Sequence, residues 1–192
     1  MHDANDLIEI FNDLFVRPFN TELIAGGEEP VYCPAKASGD RHGIVFCHDY
    51  FSSALHEVSH WCIAGAQRRE LVDFGYWYAP DGRSTAQQKA FEGMEIKPQA
   101  LEWIFSLAAN VKFCVSLDNL MGDESGGQCD SVDFTRRVGE QVISYLINGL
   151  PGRAHSFTKK LLTFYQPHHR YADFCDAAFC VVSEHVNKPL MV

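Results

Sequence analysis

Two histidines with a glutamate beside the first carry the clearest chemical signal in this chain. Residues 56–60 read His-Glu-Val-Ser-His, the pattern HExxH. If the segment is helical, His56 and His60 lie one turn apart on one face, with their Cβ atoms about 5–6 Å apart. Two imidazoles so placed can bind one divalent ion through metal–nitrogen bonds of about 2.0–2.1 Å. Glu57 can then reach an oxygen held on that ion.

The pattern alone is only moderately specific. A chain with 9 histidines contains it by chance in about one case in forty, so both histidines could belong to an ordinary helix. The neighbouring residues favour burial, because apolar side chains surround the motif on almost every side. They are Ala54, Leu55, Val58, Trp61, Cys62 and Ile63. Two histidines and a glutamate on a buried helix need partners, and a metal ion supplies one to all three.

A third metal ligand is expected from the later segment 91–103. Glu95 and Glu102 lie seven residues apart and share one face of a continuous helix, and Glu92 lies one turn before Glu95. Apolar neighbours on both sides of Glu95 favour its partial burial. We therefore predict Glu95 as the carboxylate ligand, in preference to Glu92 and Glu102.

Two histidines and one carboxylate serve two different reactions. With Zn²⁺ they activate a water for hydrolysis, with Glu57 as the general base, which gives a metallopeptidase. With Fe²⁺ they leave positions for dioxygen and substrate, which gives an oxygenase. A third interpretation is a structural metal site, in which case loss of His56 would unfold the protein. The residue pattern leaves all three open, and HExxH alone favours the peptidase.

The elements that must position these residues follow from apolar periodicity and turn formers. Strands are predicted at residues 30–33 and 43–47, with a β-rich stretch at 70–78. Helices are predicted between Asp3 and Pro18 and at about 53–64, 85–111, 134–147 and 154–165. Ser52 or Ser53 would cap the second helix, and Pro98 would kink the third or start a new one. Strands come first and helices later, so we predict a single-domain α+β fold in which a helical bundle carries the HExxH helix, packed on a small β-sheet.

Composition narrows the class of protein. The chain has 16 basic and 25 acidic residues and a net charge of −9, without the basic stripe of a nucleic-acid binder. It has no apolar run of about 18 residues and no signal peptide at its start, so no membrane association is expected. Its 7 cysteines include no CxxC pair, which favours buried reduced thiols. We expect one cytoplasmic metalloenzyme domain over residues 1–192, with about 167–192 as a less certain C-terminal extension.

Several segments, taken together, resemble the elongation factor P hydroxylase family. The segments are ALHEVSHWCIAG (54–65), RRELVDFGYWY (68–78), PDGR (80–83) and KPQAL (97–101). The resemblance covers most of the chain, is strongest from about His42 to Gly149 and weakens after Gln166. As a set, these segments are much more specific than HExxH.

The resemblance implies an Fe²⁺-dependent hydroxylase, a monooxygenase whose protein substrate is bacterial translation elongation factor P. It would use dioxygen to hydroxylate the lysine that already carries a β-lysyl group. By the same resemblance, His56, His60 and Glu95 would bind the iron. Glu57 would hydrogen-bond bound water or orient a ligand.

A hydroxylase of this kind needs a narrow channel for a long cationic side chain, with acidic groups for its amine. Asp73 and the aromatic residues that follow it, including Tyr76 and Tyr78, are candidates for the channel wall. The same residues would also suit a strand that contributes one face to the core.

Overall fold

The computed structural model describes residues 2–73, 84–116 and 129–187. The helices in these ranges are α1 (Ala4–Phe19), α2 (Phe51–Ile63), α3 (Thr85–Ala108), α4 (Cys129–Asn148), α5 (Gly152–Tyr165) and α6 (Tyr171–Val186). The strands are β1 (Thr21–Gly27), β2 (Val31–Cys33) and β3 (His42–Cys47), and Arg68–Glu70 forms a short 3₁₀ turn. The helix-rich α+β prediction is confirmed. None of the helices in the described ranges combines the length and apolar character needed to cross a membrane.

The chain divides into two compact units. The first comprises Met1–Tyr78 and Pro151–Leu161, and the second comprises Ala79–Leu150 and Leu162–Val192. The HExxH helix α2 belongs to the first unit, and Glu95 belongs to the second.

In the first unit, α2 packs on a three-stranded sheet, as predicted. The strand order is β1-β3-β2, with β1 parallel and β2 antiparallel to β3. Helix α2 contacts β3 and α1. The predicted strands at 30–33 and 43–47 are confirmed, whereas β1 was not predicted. Only Thr21 and Leu23 are buried in β1 and it ends in two glycines, so its sequence carries little strand signal.

Aromatic residues of α1 anchor the C-terminal half of α2. The indole ring of Trp61 is 3% exposed and lies 5.0 Å from the ring of Phe11 and 4.9 Å from that of Phe15. Phe19 meets the same indole edge-on at 5.5 Å. Each such pair stabilises a core by about 0.5–1.5 kcal/mol in addition to the stabilisation that comes from the area it buries. They fix the turn of α2 that carries His60.

One local prediction in the first unit is wrong. Neither Ser52 nor Ser53 caps α2: the N-cap is Tyr50, which makes no side-chain cap. The Ser53 hydroxyl instead accepts a hydrogen bond from the Cys47 N–H at 3.0 Å, which ties α2 to the end of β3. Of the β-rich stretch predicted at 70–78, the structure describes residues 70–73: Glu70 belongs to the 3₁₀ turn, and Asp73 forms an antiparallel bridge with Tyr32. Residues 74–78 lie outside the described ranges.

In the second unit, α3 runs through Pro98 without interruption, so the predicted second helix there is wrong. Proline in a helix interior costs about 3 kcal/mol, because it removes one hydrogen bond and crowds the preceding turn. Burial beyond the proline offsets that cost. Ala100, Leu101, Ile104, Phe105 and Ala108 are all fully buried.

Helix α6 lies where the sequence predicted only an extension. It packs against α4, and Phe174, Ala178 and Val182 are its buried residues.

Among the described cysteines all are free thiols, but only Cys62 is buried, while Cys114 and Cys180 are exposed. The prediction of reduced thiols agrees with this arrangement, and the prediction that they are buried is correct only for Cys62. Burial raises the pKa of the Cys62 thiol, which therefore stays neutral at ordinary pH.

Candidate metal centre

Helix α2 brings the two histidines of the motif together. Their Nε2 atoms lie 3.1 Å apart, and the ring planes meet at 70°. Two nitrogens bonded to one ion at about 2.0–2.1 Å are separated by about 2.8–3.4 Å when the angle between the bonds is about 90–109°. The observed separation falls in this range. The pair therefore has the geometry of two neighbouring ligands of one ion.

Glu95 presents a buried carboxylate from α3. Glu95 is 4% exposed. Gln99, one turn further along α3, donates a hydrogen bond from Nε2 to Glu95 Oε2 at 3.4 Å. The Gln99 amide is itself fixed by the backbone of Ser116. It donates to the Ser116 carbonyl at 2.7 Å and accepts from the Ser116 N–H at 3.0 Å. Because both ends of the amide are engaged, its N–H is held toward the Glu95 carboxylate.

His56, His60 and Glu95 form a set that could hold a metal ion. One ligand atom from each residue lies within 4.8 Å of the other two. Two imidazoles and a carboxylate suit zinc in hydrolases and ferrous iron in oxygenases, so the donor set fits both metals considered from the sequence.

The other two candidate carboxylates are placed differently. Glu92 is 5% exposed, but Arg137 of α4 forms an ion pair with it at 3.5 Å. A buried carboxylate with an arginine partner already has its charge compensated within the protein. Glu102 is only half-buried. Neither residue belongs to the set formed by the two histidines and Glu95.

A cavity of about 430 Å³, including its open mouth, adjoins His60 in the first unit. Its lining residues are Tyr32, Ile44, Glu57, His60, Trp61, Ala64, Arg68, Arg69 and Asp73. Glu57 and His60 thus face the same space. Asp73, predicted to bind substrate, lies in the wall, while Tyr76 and Tyr78 lie outside the described residues.

Asp73 is held in place by contacts that the sequence did not reveal. Arg68 binds its carboxylate through two contacts, Nε to Oδ2 at 2.8 Å and Nη2 to Oδ1 at 2.7 Å. Tyr32 exchanges backbone hydrogen bonds with Asp73, and the Tyr32 hydroxyl donates to the Arg69 carbonyl at 2.9 Å. These bonds fasten the segment 68–73 to β2 and make it a fixed wall of the cavity.

Arg153, at the start of α5, closes the C-terminal end of the HExxH helix. Its Nη2 group donates to the carbonyl oxygens of Trp61, at 2.8 Å, Cys62, at 3.1 Å, and Ala64. The guanidinium also lies 4.6 Å from the centroid of the Trp61 ring. A cation at this end of a helix meets the negative end of the helix dipole. Desolvation lowers the pKa of Arg153, and the neighbouring Arg69 lowers it further.

Comparison with known proteins identifies the family. The family model for elongation factor P hydroxylase matches residues 10–174, a range that contains both histidines and Glu95. The elongation factor P lysine hydroxylase of Haemophilus influenzae is 48% identical over 164 residues, which cover 85% of this chain and 90% of that protein. These matches confirm the resemblance seen in the sequence, and the chain belongs to the elongation factor P hydroxylase family.

Proposed function

We propose that this protein hydroxylates the β-lysylated lysine of translation elongation factor P, as a cytoplasmic, iron-dependent monooxygenase. The observation that carries the proposal is a His-His-Glu donor set in a chain of the elongation factor P hydroxylase family. The Haemophilus influenzae relative is named a lysine hydroxylase of that factor. Family membership favours hydroxylation over the peptidase interpretation of HExxH. Residues 1–192 would act as one metalloenzyme domain.

In this proposal His56, His60 and Glu95 are the ligands of Fe²⁺. The bound ion would supply the activation of dioxygen that inserting one oxygen atom into a C–H bond requires. The protein itself orients the donors. The geometry of α2 sets the imidazole separation, and Gln99 fixes the Glu95 carboxylate through its own bonds to Ser116.

Glu57 is proposed to act on water or ligand in the cavity beside His60. Its carboxylate can accept a hydrogen bond from a water there or hold a proton. In a peptidase the same residue would be the obligatory base. The effect of replacing Glu57 therefore separates the two chemistries.

The substrate amine is proposed to lie near Asp73, with Tyr76 and Tyr78 as further substrate-binding residues. Asp73 lines the same cavity as His60, which supports its part in this proposal. Its carboxylate is bonded to Arg68, so the ammonium group of the substrate would join an existing ion pair.

The proposal is tested by mass. The purified protein is incubated with Fe²⁺, dioxygen, a reductant and β-lysylated elongation factor P, and the intact factor is then weighed. We expect a gain of one oxygen atom with the wild-type protein and with Glu57→Gln at a reduced rate, and no gain with His60→Ala or Glu95→Gln. Unlysylated factor serves as the substrate control.

Peptide fragments of the factor, abolished by Glu57→Gln, would instead support the peptidase. An unchanged mass with a fully metal-loaded enzyme would reject the hydroxylase assignment.

A further inference from the structure

Gln99 of α3 is a buried amide whose orientation is fixed by the main chain. It is 1% exposed. Its Oε1 accepts a hydrogen bond from the Ser116 N–H at 3.0 Å, and its Nε2 donates one to the Ser116 carbonyl at 2.7 Å. A flipped amide would place oxygen against oxygen and N–H against N–H, so only one orientation satisfies both backbone groups.

The same amide nitrogen also meets the carboxylate of Glu95. Nε2 lies 3.4 Å from Glu95 Oε2, one turn earlier on α3. An amide N–H can only donate, so it favours the ionised carboxylate that binds a metal. The contact is longer than the usual N–H···O distance of about 2.9–3.0 Å. It therefore orients the carboxylate more than it stabilises the fold, and the two bonds to Ser116 hold the amide in place.

We propose that Gln99 is a positioning residue for Glu95, because its amide holds Oε2 and the carboxylate then meets the metal in one fixed orientation. The proposal rests on the proposed function in that it takes Glu95 as a metal ligand. A carboxylate without a fixed neighbour can bind a metal through either oxygen or through both. Loss of a residue that orients a metal ligand typically lowers metal affinity about 10–100-fold.

A purely structural role is the alternative, and Gln166 of the same unit has contacts of that kind. Its Nε2 donates to the carbonyls of Leu107 and Ala108 at 2.8 Å and 2.9 Å, at the C-terminal end of α3. Leu107 follows Glu95 by twelve residues, which corresponds to about 18 Å along a helix. Gln166 thus bonds the backbone of the same helix far from Glu95, and it is the matched control for Gln99.

The test compares Gln99→Met with Gln166→Met. The probe is Co²⁺, which binds nitrogen and oxygen ligands and whose visible absorption reports the ligand geometry. Competition with a chromophoric chelator measures Co²⁺ affinity, and urea denaturation of the metal-free protein measures stability. We expect Gln99→Met to bind Co²⁺ about tenfold or more weakly, with a changed absorption spectrum. Gln166→Met should keep the affinity and the spectrum of the wild type, although both variants lose bonds to the backbone.

A second substitution gives the result if Gln99→Met does not fold. Gln99→Asn keeps an amide that is one methylene shorter, so it cannot reach both Ser116 and Glu95, and it should also weaken Co²⁺ binding. A folded variant at position 99 that keeps the affinity or the spectrum of the wild type would overturn the proposal. An equal loss of affinity in Gln166→Met would overturn it as well, since the effect would then follow from lost stability.

Glu95→Gln distinguishes this failure from that of the proposed function. If Glu95→Gln loses Co²⁺ affinity while the variants at position 99 keep it, Glu95 is a metal ligand and Gln99 is only structural. If Glu95→Gln binds Co²⁺ like the wild type, Glu95 is not a ligand. The proposed metal centre and the positioning role of Gln99 are then both wrong.

Discussion

Two buried carboxylates one turn apart on α3 differ in what they contact. Glu95 meets the amide of Gln99 and belongs to the donor set, whereas Glu92 is paired with Arg137. We predict that Glu95→Gln weakens metal binding by about 100-fold or more, because even residues that only orient a metal ligand contribute about 10–100-fold. Metal affinity is measured by competition with a chromophoric chelator.

Glu92→Gln is the matched control for that prediction. It removes a carboxylate of equal burial on the same helix and should leave metal affinity unchanged. It should lower the free energy of unfolding by about 1 kcal/mol, since the Arg137 guanidinium that loses its partner is partly solvated. If Glu92→Gln lost the metal and Glu95→Gln retained it, Glu92 would be the metal ligand instead of Glu95.

At the scale of single residues, local patterns predicted the His-His-Glu set and the place of Asp73 in the cavity wall, but not the contacts that hold that wall. His56 and His60 are four residues apart, and helical geometry alone brings them together. The apolar neighbours of Glu95 correctly indicated its burial. Arg153 binds carbonyls about ninety residues earlier in the chain, and the Arg69 carbonyl accepts a hydrogen bond from the Tyr32 hydroxyl of β2. No local spacing reveals such contacts, because the fold creates them.

At the scale of elements, the C-terminal end of α2 depends on Arg153. We predict that Arg153→Ala lowers the free energy of unfolding by about 2 kcal/mol, because three carbonyls lose a charged donor that is itself only half-buried. Arg153→Lys should recover part of this loss, since it keeps the charge at the helix end but cannot span all three carbonyls. Urea denaturation measures both variants. If Arg153→Ala has the same free energy of unfolding as the wild type, Arg153 does not stabilise the end of α2.

Element boundaries were less predictable than the elements themselves. The serines before α2 satisfy the usual preference for an N-cap, yet Ser53 bonds to Cys47 because β3 ends next to it. Pro98 normally ends a helix, yet α3 continues because most of the residues after it are buried. In both cases tertiary contacts outweigh a local preference of about 1–3 kcal/mol.

At the scale of the whole chain, the order of strands and helices in the sequence predicted the fold class. The same reasoning did not predict helix α6 in the C-terminal part. The family match ends at residue 174, inside α6, and the helix continues to Val186. Its three buried residues lie at i, i+4 and i+8, a helical spacing that the sequence analysis did not use. Residues 171–186 are therefore part of the core of the second unit rather than an appendage.

Two glycines test how closely α6 packs in that core. A Cβ added at Gly139 of α4 would lie 2.6 Å from Cγ2 of Val186, a β-branched side chain that can move little. We therefore predict that Gly139→Ala lowers the free energy of unfolding by about 1–3 kcal/mol. Gly93 of α3 has nothing within 4 Å of an added Cβ, so Gly93→Ala should raise it by about 0.5–1 kcal/mol.

Both substitutions give the same gain in helix propensity, so the difference between them reports packing alone. Urea denaturation of the two variants measures that difference. If Gly139→Ala were as stabilising as Gly93→Ala, α6 would not be packed against α4 at this point. The C-terminal residues would then be an extension outside the core. If the two variants differ in sign, the close contact of Gly139 with Val186 makes α6 a structural requirement of the unit that carries Glu95.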